Sequence, residues 1–135
     1  MAKPLSNSNV GLSIPASLHK KYEAYEKDSE AVSPQQNPHN FTLHDLVAFV
    51  GLGDKSTGKA LGKSERVSAP QNEFFVLDVK YTPKALSAVN NDHGKLRLAY
   101  FDGSKWVPYT PSSKDSSGWQ VKLSEFGDPP VGWGS

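Results

Sequence analysis

The sequence predicts a mainly β protein: an antiparallel two-layer β-sandwich, with an immunoglobulin-like arrangement as its candidate type and one or two short helices on the N-terminal side. Three observations carry this expectation. From Glu73 onward, apolar and polar side chains alternate in short runs, the period of a strand with one buried face. Turn-formers are frequent, with 11 glycines and 10 prolines in 135 residues, which argues against a helical bundle. The apolar share is a low 36%, so many short elements around one modest core are expected. The length suits one domain, residues 1–135, read as a helix and linker (1–40) packed on a β-rich core (41–135).

Met1 to Pro15 offers scattered apolar residues among Ser and Asn, and Val10 to Ile14 reads as a short edge strand. Ser17 can cap a helix running to Val32, with Leu18, Tyr22, Tyr25 and Val32 on one face and charged residues over the rest. Ser33 to Asn40 carries two prolines and no apolar residue, so it reads as a solvated linker. Thr42 with Asp45 resembles a capping box. Leu43, Leu46, Val47 and Val50 follow at helical spacing until Gly51 and Gly53, giving a short buried helix with a strand as the competing reading.

The second half is clearer. Phe75, Leu77, Val79 and Tyr81 point one way, and Val76, Asp78 and Lys80 the other. Leu96, Leu98 and Tyr100 repeat the pattern, and Asp102-Gly103-Ser104-Lys105 supplies the turn that folds Lys95–Phe101 onto Trp106–Tyr109 as a hairpin. Trp119, Val121 and Leu123 form a last strand before Gly127-Asp128-Pro129-Pro130 ends it. Glu65–Ser68 adds a candidate edge strand. The register predicts Phe75, Leu77, Leu98, Val121 and Leu123 as core.

Composition limits the function classes. Fifteen basic residues stand against 14 acidic ones, a net charge of +1, so no footprint for duplex nucleic acid follows. Zero cysteines exclude a disulfide framework and a Cys-ligated zinc site. No apolar run is long enough for a signal segment or a membrane span, so the chain reads as soluble. Its compartment is undetermined, and extracellular if the chain is a fragment of an exported protein.

The sharpest motif is Gly53-Asp-Lys-Ser-Thr-Gly58-Lys59-Ala60, which follows the spacing of a phosphate loop in Gly53, Gly58 and Lys59. Ala60 stands where such loops carry the hydroxyl that holds Mg2+. Leu61, Gly62 and Pro70 also make a poor continuation for the long helix such a loop must open, so a Gly/Lys/Ser turn is the stronger reading. His19, His39, His44 and His93 lack metal-ligand spacing and read as solvent-exposed. Asn90-Asn91-Asp92-His93-Gly94 holds too few carboxylates for calcium and reads as a turn. No G-x-S-x-G elbow appears.

Trp106 and Trp119 follow the inward side of the strand alternation and are expected in the core. Trp133 lies in a Gly-rich tail and Tyr109 at a strand end, both read as exposed aromatics able to meet a partner beside the Asp102 hairpin loop. The function that fits is a non-catalytic binding or assembly module, meeting a protein partner or a glycan and using no cofactor or metal. The alternatives are a carbohydrate-binding module working through Trp133 and Tyr109, and a nucleotide-binding enzyme with a degenerate phosphate loop at 53–60.

Overall fold

In the computed structural model, which describes residues 3–5, 8–26, 40–61, 65–127 and 129–135, strands dominate. In chain order they are β1 (Lys3–Pro4), β2 (Val10–Ser13), β3 (Tyr22–Glu26), β4 (Leu43–Asp54), β5 (Lys59–Ala60), β6 (Val67–Ser68) and β7 (Phe75–Lys80). Helix α1 (Pro83–Ala88) follows, then β8 (Arg97–Phe101), β9 (Trp106–Pro108), β10 (Ser113–Lys114), β11 (Gly118–Leu123), β12 (Glu125–Phe126) and β13 (Pro130–Gly134). The larger sheet runs β1-β3-β4-β13-β8-β9, with β5 also on β4. A second runs β10-β11-β7-β2, and β12 pairs with β6. The paired strands are antiparallel, and β2 and β6 stand where the edge strands were expected.

The predicted N-terminal helices do not form among the described residues. Ser17 caps no helix; its backbone N–H and hydroxyl bind the Glu73 carboxylate at 3.0 and 2.5 Å. A turn through Leu18 leads into β3. There Tyr25 is buried, its ring lying over Gly53 of β4, where a Cβ would collide with it. Such aromatic cover of a strand glycine needs a neighbouring strand, and it outweighs the weak helical preference of Lys-Lys-Tyr-Glu-Ala-Tyr-Glu. The rest of that expected helix and all of the linker except Asn40 lie outside the described residues.

The second expected helix, 43–50, is the strand that competed with it. β4 is 12 residues long and has β3 on one side and β13 on the other. Ala48, Val50 and Leu52 enter the core at alternate positions. Gly51 and Gly53, read as a helix stop, are strand residues paired with Tyr25 and Glu23. The helix that does form was missed: Thr82 caps α1, its Oγ1 accepting from Ala85 N at 3.1 Å, and Pro83 occupies the first turn.

One core cluster joins the two larger sheets: Leu77, Val79 and Val121 from one meet Val50, Leu98 and Val131 from the other. Trp133 lies at its centre, 0% exposed. Its indole N–H donates to the Lys80 carbonyl at the end of β7 at 2.8 Å. Its ring packs on Tyr81 at 4.7 Å and edge-on to Trp119 at 5.6 Å. The flanking glycines explain how it gets there. They point away from the core, and a Cβ at Gly134 would strike the Thr42 carbonyl while one at Gly132 would lie 2.8 Å from the Asp45 carbonyl. The Gly-Trp-Gly tail is thus an inner strand lying close against β4.

Leu123 is partly exposed, while the other four residues expected as core are buried, as are Trp106 and Trp119. β8 also buries its second face. Ala99 and Phe101 join Trp106 and Phe41 in a smaller cluster, the Phe41 and Trp106 rings 5.9 Å apart. Among the described residues the Trp106 indole N–H meets no acceptor, and that of Trp119 lies alongside the Tyr81 hydroxyl without hydrogen-bond geometry.

Three hairpins close with the same device, Asp-x-Ser. Oδ1 of Asp54, Asp102 and Asp115 accepts from the backbone N–H two residues on at 2.8, 2.9 and 2.7 Å, an Asx turn. Asp102 accepts further from Lys105 N at 2.9 Å and pairs with Lys105 Nζ at 3.0 Å. Backbone donation from Ser104 holds its carboxyl well below the usual range. Serine donors lower the carboxyl pKa of Asp54 and Asp115 as well.

Two expectations follow. Trp133→Ala should cost about 3–5 kcal/mol by urea unfolding, and Trp133→Phe, which keeps much of the volume but orphans the Lys80 carbonyl, should fall between; an unchanged midpoint for both would contradict the burial described. The turn carboxylates have lower pKa values folded than unfolded, so their contribution is complete above the unfolded value and lost as pH falls. Urea midpoints should therefore be level above about pH 4 and drop below it, with a shallower drop in Asp102→Asn.

Candidate functional site

A cleft of about 260 Å3 opens where the exit of β9, the end of β11 and the β12 strand converge. Antiparallel pairing of Tyr100 with Val107 puts these two residues on one side of the β8–β9 hairpin. The chain then turns at Tyr109, whose backbone N–H bonds the Leu98 carbonyl at 2.8 Å. The Tyr100 and Tyr109 rings pack at 4.9 Å with a 38° tilt. Leu123, Phe126 and Pro129 form the apolar wall, and Arg66, Thr110 and Glu125 supply the polar groups.

Tyr109 is the most perturbed group here. Burial pushes its phenol well above the ordinary tyrosine value; Tyr100 adds to the shift and the Arg66 guanidinium opposes it. Among the described residues no group hydrogen-bonds its hydroxyl. Arg66 takes its position from the β12–β6 pairing, where Phe126 faces Val67 and the next step brings Gly127 to Arg66. A Cβ at Gly127 would lie 3.3 Å from Arg66 Nη1 and 3.5 Å from its Cγ, so the bare glycine lets the arginine fold across the backbone.

Of the residues singled out from sequence, Tyr109 alone lines this cleft. Trp133, read as an exposed tail aromatic, is sealed in the core by the strand pairing of its own tail. Asp102 is exposed at the β8–β9 hairpin tip, where its carboxylate is committed to the turn. The 53–60 segment is the β4–β5 hairpin. Gly53 pairs with Ala60 and Asp54 with Lys59, and a strand stands where a phosphate loop needs a helix. Gly58, at φ 69°, serves the turn. Asn90 and Asn91 adopt positive φ in the expected turn before Asp92.

The histidines divide. His19 is exposed, while His93 is half-buried and stacks on Tyr81 at 5.3 Å. His44 is half-buried, its Nε2 2.7 Å from Ser135 Oγ; among the described residues no carboxylate hydrogen-bonds its other nitrogen, so the pair lacks the orienting third group of a nucleophilic triad. His39 lies outside the described residues. Among the described residues no three His, Asp or Glu side chains gather as a metal cluster, and no helix is long and apolar enough to cross a membrane.

Sequence reasoning missed Arg66, Glu125 and Gly127, which come together only through the two-residue pairing of β6 with β12. A signal for the aromatic side existed: Tyr100 and Tyr109 flank a hairpin whose register is fixed by Asp102-Gly103. No protein-family model, curated protein or solved structure matches this chain, so a functional reading rests on the geometry of the cleft.

Proposed function

We propose that the chain is a non-catalytic binding module, built as a two-layer β-sandwich of immunoglobulin-like type, that seats a small ligand in the cleft beside Tyr109. Strand adjacency supports the fold assignment. The order β2-β7-β11-β10 corresponds to A-B-E-D of one immunoglobulin sheet, and β9-β8-β13 to C′-C-F of the other. β4 takes the place of the final strand G, although it lies between A and B in the chain.

The observation that carries the binding reading is the Tyr109 hydroxyl, which lines a cleft with no partner among the described residues. The hydroxyl faces an open cleft where water reaches it, so a ligand that enters can replace that water with a direct bond. The carboxylates of Asp54, Asp102 and Asp115 are engaged as turn acceptors, which favours a binding role over acid–base chemistry at those positions. Paired tyrosine rings beside polar groups favour a ring-shaped ligand, a glycan unit before a peptide.

The test is a set of 1H–15N correlation spectra of the full chain, titrated with monosaccharides and with short peptides. Shifts centred on Tyr100, Val107, Thr110 and Gly127 are expected with the sugars. Shifts confined to other surfaces, or none with any probe, would remove the cleft as the binding site.

A further inference from the structure

We infer that the ligand of this cleft is an acidic sugar unit of the uronate kind, its ring against the tyrosine wall and its carboxylate on Arg66 and the Tyr109 hydroxyl. This rests on the binding reading above and goes on to its chemistry. Two donors line one cleft, and among the described residues neither has a bonded acceptor. The Arg66 guanidinium has no carboxylate partner among the described residues, and its field is felt at the Tyr109 oxygen. A guanidinium presents a planar fork that matches a carboxylate through two parallel bonds, and Gly127 leaves the space in which that fork lies across the backbone.

The remaining lining selects among anions. Among the described residues Glu125 is the one acid that lines the cleft. Its oxygens accept from sugar hydroxyls, while its charge repels a second negative charge on the ligand, so a monoanionic carboxylate is favoured over a phosphate dianion. The volume of about 260 Å3 falls below the roughly 300 Å3 at which drug-sized pockets begin, which suits one ring. Val107, Pro108, Leu123 and Phe126 provide apolar surface for the C–H side of that ring.

Isothermal titration with glucuronate and galacturonate, against glucose, galactose and glucose 6-phosphate, tests this on the full chain. Uronates are expected to bind at least tenfold tighter than their neutral parents. Arg66→Gln, at an exposed position, is expected to abolish that difference; Arg66→Lys should restore part of it. Tyr109→Phe should weaken uronate binding severalfold with no loss of melting temperature, because the hydroxyl removed had no partner. Equal affinity for acidic and neutral sugars, with cross-peak shifts still at Tyr100 and Thr110, would overturn the acidic assignment and leave the cleft standing. Tighter binding of the sugar phosphate would also overturn it. No shift at the cleft with any sugar would overturn both.

Discussion

The Trp133 indole, held between the two larger sheets by its bond to the Lys80 carbonyl, is the contact on which the rest of the structure depends. Its N–H is satisfied across the sheet boundary at 2.8 Å, so a large apolar surface enters the core without an orphaned donor. That bond fixes the end of β7 relative to β13. Since β13 lies between β4 and β8, the position of one side chain is linked to the central strands of the larger sheet. Gly132 and Gly134 serve the same end, because the close approach of the neighbouring strand β4 leaves no room for a Cβ at either position.

This explains why the C-terminal tail was misread. Gly-Trp-Gly carries no local signal for a strand: glycine is depleted there, and the pairing partners lie about 90 residues upstream on β4 and about 35 upstream on β8. Where the partner is near in sequence, the reading succeeded. The β8–β9 hairpin is legible because Asp102-Gly103-Ser104 sets the turn and the flanking residues alternate. β7 and β11 are legible from alternation alone. The N-terminal half misled because short amphipathic runs satisfy both periods. Leu43, Leu46, Val47 and Val50 fit a helix, while Ala48, Val50 and Leu52 fit a strand, and neighbours on both sides decide for the strand. The α1 helix was legible in principle from Thr82-Pro83, a cap followed by proline.

The site was legible in one residue. Tyr109 follows a recognisable strand, so its aromatic face could be nominated. Its environment could not, since Arg66, Glu125 and Gly127 sit on a two-residue ladder with no alternation long enough to register. Asp102 shows the reverse. Its visibility in the sequence came from turn chemistry, and that same chemistry occupies its oxygens.

Core and cleft are joined through one short stretch of chain. Pro129 lines the cleft, Pro130 begins β13 opposite Phe49, and Trp133 stands three residues on. Proline fixes φ near −65°, so two in succession give this approach little freedom. Across the cleft, Tyr100 pairs directly with Val131 of the same strand. The Tyr100 ring and Pro129 are therefore set by β13 and its neighbour β8, whose positions follow from the buried indole, and Tyr109 is tied to β8 through the Leu98 carbonyl. Arg66 and Phe126 reach the site from a two-stranded ladder outside the large sheets; Phe126 is buried there, while Arg66 is exposed. The cleft thus combines a buried apolar seat with an exposed charged group. Recognition of ring shape is preorganised by the core, and recognition of charge is left to a side chain that can be exchanged without disturbing it.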